Sequence, residues 1–224
     1  YSCYASGIEM KQLLIIGAGG FGREVAAWAR RCPAYRREWE VAGFLDDDPS
    51  ALEAFPENRL PILGNTRDYM PRDNEVFLCA VGNAPMRAEI RSRFEARGAV
   101  FTRLIHESVV LGERVHLEPG VILCPRVVLT CDLSIGKNTA LNVATAVGHD
   151  VQIGEDCQIS SFCDITGFVE IGDRVLMGSG ARIIPSRKVG SDAVLGAGSV
   201  VVRDVPEAVT VFGNPARLLT ARDA

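Results

Sequence analysis

Between Leu111 and Val201 an apolar residue recurs at every sixth position without a break, through Leu117, Leu123, Leu129, Ile135, Leu141, Val147, Ile153, Ile159, Ile165, Ile171, Met177, Ile183, Val189 and Leu195. A helix repeats its apolar face every ~3.6 residues and a strand every second residue, so neither explains a strict beat of six. Six-residue repetition belongs to a parallel β-helix, in which short strands stack coil upon coil. A second beat, four residues after each anchor, holds Val115, Val121, Val127, Leu133, Thr139, Thr145, Val151, Cys157, Cys163, Val169, Val175 and Ala181. These are small or β-branched, as an inward position beside a tight corner requires. Glycine often follows the anchor, as at Gly112, Gly136, Gly148, Gly154, Gly172, Gly178, Gly190 and Gly196. That predicts either an unusual backbone angle or a close approach there. Each buried anchor is worth roughly 1.5–3 kcal/mol, enough together for a self-sufficient prism. Arg187 interrupts the second beat; a bare charge inside the prism is costly, so a local bulge turning it outward is expected.

The first hundred residues follow a different rhythm. An apolar strand at 11–16 runs into Gly17-Ala18-Gly19-Gly20-Phe21-Gly22 and a helix over 23–31. This is G-x-G-x-x-G between strand and helix, which presents backbone N–H groups to a phosphate. Strands at 41–45 and 75–81 end in Asp46-Asp47-Asp48-Pro49 and Gly82-Asn83; a helix at 84–97 and a strand within 100–105 follow. The pattern predicts a small Rossmann-like α/β domain over 11–105, with polar residues at the carboxyl ends of its strands, where such sheets bind ligands. An all-β parallel β-helix over 106–219 follows it. The glycine turn admits a nucleotide or nucleotide-sugar pocket, a nicotinamide site, or a purely structural turn; a full dinucleotide domain needs two such halves, and only one is present.

Composition narrows the partners. A hydrophobic fraction of 47%, a charged fraction of 23% and a net charge of −4 describe an ordinary globular chain, with no basic cluster for nucleic acid or anionic membrane. No apolar run approaches the ~20 residues of a membrane span. The segment before Met10 lacks the basic start and apolar core of a signal peptide, and Met10 reads as the natural start. Seven cysteines without CxxC spacing indicate neither a disulfide framework nor a zinc site, and a reducing cytoplasm is the expected location. Cys157 and Cys163 fall on the inward beat, where cysteine packs as a small apolar residue.

With three hexads per coil, residues eighteen apart stack in neighbouring rungs about 4.8 Å apart. His149-Asp150 follows Val147-Gly148 at an outward corner, and eighteen further on stands Gly167. A glycine N–H one rung from an outward histidine can stabilise an oxyanion beside a general base, with Asp150 orienting the imidazole. His106 and His116 lie far along the axis from His149, so a three-histidine metal site is not expected.

Gly17–Gly22, Phe44-Leu45-Asp46-Asp47, Val81-Gly82-Asn83, Leu141-Asn142 with Val147–Asp150, and the closing Gly213-Asn214-Pro215-Ala216-Arg217 together resemble the sialic-acid O-acetyltransferase and bacillosamine N-acetyltransferase family of bacterial sugar acetyltransferases, over nearly the whole of 11–219. The resemblance implies a left-handed β-helix, a homotrimer with active sites between prisms, and acetyl-CoA as donor without a metal. It implies His149 as base, Asp150 as its partner and the Gly167 amide on the thioester oxygen. Gln158, Ser179, Ala197 and Arg217 would line the acetyl-CoA site. Gly17, Gly19, Gly20, Phe21, Asp46, Asp47, Gly82, Asn83 and Asn142 would hold a sugar or nucleotide-sugar acceptor. Two positions depart from the family pattern: Phe21 stands where many relatives carry an acceptor-contacting histidine, and Gln158 where some carry a second histidine. The leading expectation is acetyl transfer to a sugar amine or hydroxyl by direct attack. A catalytically silent trimeric nucleotide-binding scaffold and a nicotinamide oxidoreductase are the alternatives. The nature of the sugar, nitrogen against oxygen, and acyl length are not readable from spacing.

Overall fold

The computed structural model describes residues 10–219; the expectations about the opening segment concern residues 1–9 and lie outside the described residues. Strands β1 (Lys11–Ile16), β2 (Trp39–Leu45), β3 (Ile62–Gly64) and β4 (Glu75–Cys79) form one parallel sheet in the order β3-β2-β1-β4. Their side chains alternate between two cores. Leu13, Ile15 and Leu78 face helix α1 (Gly20–Ala29) through Val25, Ala26 and Ala29. Leu14, Ile16 and Phe77 face helix α2 (Ala84–Ala96) through Ile90 and Phe94. The β3 strand carried no clear sequence signal. The strand expected within 100–105 divides instead: Phe101 makes a single bridge to Phe77, while Leu104–Ile105 already pairs with Ile122–Leu123 of the solenoid.

Beyond that point the chain winds into a three-faced parallel solenoid. The first face stacks Leu104–Ile105, Ile122–Leu123, Ala140–Leu141, Gln158–Ile159, Leu176–Met177, Val194–Leu195 and Thr210–Phe212. The second runs from Val110–Leu111 through Ala146–Val147 and Asp164–Ile165 to Val200–Val201, and the third from Val115–Leu117 to Lys188–Val189. Register is eighteen residues per coil, as in Ala146 over Asp164 and Ile153 over Ile171. Fourteen of the sixteen anchors, Leu123 to Val201, are buried in one continuous core. Leu111 and Leu117 are not, because the first coil has no neighbour below it. The second-beat threonines keep their hydroxyls satisfied inside: Thr139 Oγ1 donates to Gly154 O at 2.8 Å and Thr145 Oγ1 to Ser160 O at 3.0 Å, as buried polar groups require.

The glycines after the anchors serve close approach and not backbone freedom. A Cβ built on Gly148 would lie 2.8 Å from Gly167 N. The left-handed conformation falls two residues later, at Asp132, Asn138, Asp150, Asp156 and others with φ of 55–57°, positions that favour Asn, Asp and Gly. Arg187 also departs from expectation, since there is no bulge: its rung keeps the regular pairing of Glu170 with Lys188. The irregularity lies one coil on, where Val189 bridges Val205 sixteen residues later instead of eighteen. The shortened corner leaves Arg187 half-buried, with Asp204 3.4 Å from its guanidinium.

The α/β unit docks on the first face. Ile122, Cys124 and Ala140 join the α1-side core. From α2, the fully buried Arg87 donates to Asn138 O, Val81 O (2.8 Å) and Gln158 Oε1 (3.3 Å). Arg91 pairs with Asp156 at 2.7 Å. Among the described residues no helix is long and apolar enough to cross a membrane.

Candidate active site

The corner between the second and third faces stacks Cys131, His149 and Gly167 as consecutive rungs. The register of Val128, Ala146 and Asp164 just before them fixes that order. His149 and Asp150 are about half exposed, with Nδ1 2.8 Å from Asp150 Oδ2. An Nδ1–H given to this carboxylate leaves Nε2 as the bare nitrogen. The imidazole lies against Gly167: a Cβ built there would sit 2.6 Å from His149 Cε1 and 2.7 Å from Nε2. Among the described residues the Gly167 N–H makes no hydrogen bond, whereas its carbonyl accepts from Ser186 N at 3.0 Å. Phe168 completes the corner, its ring 5.0 Å from the imidazole at 85°.

The corner therefore offers a basic nitrogen, a carboxylate behind it and an unpartnered N–H donor within one side-chain width. This is the arrangement that acyl transfer uses. Cys131, one rung below, was missed by a reading that followed only the inward cysteines. It is partly exposed, but its hydrogen bond to Asp132, with some desolvation, pushes the thiol above its ordinary pKa, which makes it a poor nucleophile.

Other anticipated residues sit elsewhere. Gln158 is buried on the first face beneath Arg87 and does not join His149 within one chain. Ser179 and Ala197 occupy the corner between the first and second faces, one coil apart. A Cβ on the neighbouring Gly178 would lie 2.5 Å from Ala197 N, and nothing lies within 4 Å of one on Gly180 or Gly198. These small residues leave the corner free of bulky side chains. Arg217 is in the closing strand Arg217–Leu218, paired antiparallel to Thr210–Phe212.

Of the residues expected to hold the acceptor, the glycine turn, Asp46, Asp47, Gly82 and Asn83 lie at the carboxyl end of the sheet, where β1 lies between β2 and β4 and the winding direction changes, whereas Asn142 lies on the solenoid. Gly17 (φ 98°) turns beside the Ala80 backbone and the Val81 side chain, and Gly19 caps α1 with no side chain of its own. Asp46 Oδ2 accepts from Ala18 N at 2.7 Å, so this carboxylate shapes the glycine loop. Asp47 is committed to the Thr66 N–H (2.7 Å), the Thr66 hydroxyl and Arg67. Its slight burial works against ionisation, but these donors outweigh it and hold the carboxyl below the ordinary range. Asn83 Oδ1 caps α2 through Met86 N at 2.9 Å. Asn142 Oδ1 accepts from Val143 N at 2.7 Å, and Phe21 packs at the rim of the α1-side core. Among the described residues the N–H groups of Gly19, Gly20 and Gly82 make no hydrogen bond, whereas Gly17 N donates to Leu45 O at 2.8 Å and Asp47 and Asn83 are already engaged.

Comparison with known proteins bears on the fold and the class of the chain. The PglD N-terminal domain family matches residues 12–94. The bacterial transferase hexapeptide family, of six repeats, matches residues 150–185, and the hexapeptide repeat of succinyl-transferase 168–203. The chain is thus similar to a PglD N-terminal domain in its first part and to bacterial transferase hexapeptide repeats in its second. Its fold resembles the acetyltransferase domain of PglB from Neisseria gonorrhoeae solved with acetyl coenzyme A, at 29% identity and TM-score 0.84, over 94% of this chain and 100% of that one. PerB from Caulobacter crescentus, solved with CoA and GDP-perosamine, is 29% identical with TM-score 0.81 over 95% and 99%. WeeI from Acinetobacter baumannii is 29% identical with TM-score 0.78 over 94% and 100%. Curated relatives match over short stretches of the chain. A serine acetyltransferase of Arabidopsis thaliana is 48% identical over 23% of this chain, and a tetrahydropyridine-dicarboxylate N-acetyltransferase of Clostridium perfringens 47% over 23%. The chain spans 13% and 22% of their lengths. The fold and the acyltransferase class expected from the sequence are both supported by these neighbours.

Proposed function

We propose that this chain transfers an acetyl group from acetyl-CoA to an amino or hydroxyl group of a nucleotide-linked sugar. The carrying observation is the imidazole of His149 lying on Gly167, with Asp150 behind it and the Gly167 N–H open. His149 Nε2 accepts the proton of the attacking amine or hydroxyl as the new N–C or O–C bond forms. The Gly167 N–H donates to the thioester oxygen while it carries negative charge. Collapse breaks the C–S bond, and the departing sulfur takes up the proton held on the imidazolium. Asp150 fixes the tautomer and faces the positive charge that forms on the ring.

The His149–Gly167 corner and the Ser179–Ala197 track lie on different corners of one prism. The reading therefore completes each site with a second copy, in a homotrimer. Support for a nucleotide-sugar acceptor comes from the open N–H groups of Gly19 and Gly20 at the start of α1, a phosphate-binding arrangement, and from the GDP-perosamine bound by PerB. The six cysteines among the described residues are free thiols, which suits the cytoplasm.

The test is release of free CoA from acetyl-CoA across UDP-, GDP- and dTDP-amino sugars and free sialic acids, with calorimetric titration of acetyl-CoA alongside. Binding of acetyl-CoA, and turnover with at least one nucleotide amino sugar, is expected. Absence of any heat with acetyl-CoA contradicts the proposal.

A further inference from the structure

A histidine on an outer corner has little to hold it. Its partner Asp150 is itself about half exposed, and an exposed charge pair fixes geometry weakly. The imidazole is nevertheless enclosed on two further sides. Gly167, one rung above, lies against it, and the Phe168 ring stands at 5.0 Å centroid separation and 85°, an edge-to-face contact. The two residues are also tied through the backbone, since Phe168 N donates to His149 O at 3.0 Å. Phe168 occupies the left-handed turn position (φ 60°) that elsewhere in this column holds Arg114, Asp132, Asp150 and Ser186. A bulky aromatic goes against local preference there, and more than half of its surface remains open to solvent, so core packing does not explain it. Locally unfavourable residues kept at a site point to function.

We infer that Phe168 is a positioning residue that holds the His149 imidazole over the Gly167 amide; the inference rests on the proposed role of His149 as base. With Asp150 at Nδ1, Gly167 above and Phe168 at the side, the ring keeps one orientation, with Nε2 directed at the acceptor. Removing the aromatic wall frees rotation of the ring while leaving base, carboxylate and amide in place.

The chain has only three histidines, His106, His116 and His149, so the imidazole C–H signals of the full-length protein are few, and those of His149 are assigned by their loss in His149→Asn. In the wild type, contacts between the Phe168 ring and the His149 C–H protons are expected in nuclear Overhauser spectra. Phe168→Leu should move those His149 signals and lower kcat about ten-fold, with the KM for acetyl-CoA within about two-fold. Phe168→Tyr, which keeps the ring, should restore both kcat and the signals. Full kcat or unmoved imidazole signals in Phe168→Leu, with His149→Asn inactive, overturns the inference alone. Full activity of His149→Asn overturns the base assignment, and this inference with it. A Leu variant that fails to fold leaves the wild-type ring contacts and the Tyr variant to decide: their absence, or loss of kcat in Tyr, overturns it.

Discussion

Gly167→Ala adds one methyl group where the site has no room for it. The added Cβ would stand 2.6 Å from His149 Cε1, 2.7 Å from Nε2 and 3.1 Å from Nδ1, and these ring atoms are its three nearest neighbours. Ordinary carbon contacts lie at about 3.5–4.0 Å, so the imidazole must retreat by about 1 Å. A misplacement of that size costs about 10²-fold in rate, or about 2.7 kcal/mol at ~1.36 kcal/mol per factor of ten. Folding should be spared, because Gly167 is not among the residues with positive φ; alanine at a compatible glycine position is neutral or stabilising, by up to about 1 kcal/mol. The N–H itself is retained. The expected outcome is a kcat for CoA release about 100-fold below wild type, with unchanged melting temperature and acetyl-CoA affinity within about two-fold. A kcat within two-fold of wild type refutes the stacking of imidazole on amide as the working geometry.

Three further outcomes follow from the same structure. Asp150→Asn keeps a residue suited to φ 57° but removes the carboxylate behind Nδ1; kcat should fall about 10- to 100-fold in steady-state CoA release without loss of thermal stability. Arg87→Ala strands the Asn138, Val81 and Gln158 groups buried with it, a cost of about 3 kcal/mol that calorimetry should read as a melting temperature lower by about 6–12 °C; a shift under 2 °C contradicts the account of this docking contact. Asp132, hydrogen-bonded first by Arg114 and then by Cys131, has its carboxyl lowered to about 2, against about 3.9 unfolded. Its contribution is complete above about pH 4 and is lost as pH falls toward 2, so Asp132→Asn should flatten the melting temperature against pH in that window, and an unchanged slope contradicts it.

How far the sequence could be read depended on what each residue's neighbours were. The solenoid was legible because a side chain's inward direction depends only on its place within the hexad, and Leu123 through Val201 obey that rule. His149 over Gly167 was legible for the same reason, since a fixed coil length converts spacing into contact. The first coil broke the rule at Leu111 because burial needs a coil on both sides, and Arg187 did so because the coil beyond it is two residues short. Neither property resides in the hexad itself. In the α/β unit, Asp47 and Asn83 looked free as carboxylate and amide at strand ends, but Thr66 and Met86 had already engaged them. Such commitments depend on tertiary neighbours that no local pattern encodes. Gln158 was assigned to the donor because it stands where some relatives carry a second histidine, whereas in this chain Arg87 of α2 covers it. Phe168 and Cys131 escaped notice because attention followed glycine and the inward beat; counting eighteen residues either way from the His149–Asp150 pair would have found both.

The central claim is that the His149 imidazole is the base of an acetyl transfer completed by the amide one coil above it. It is tested most directly by His149→Asn, measuring kcat for CoA release and acetyl-CoA affinity on the same preparation. A fall of at least about 100-fold in kcat with acetyl-CoA affinity preserved is the expected result; turnover close to wild type would contradict it.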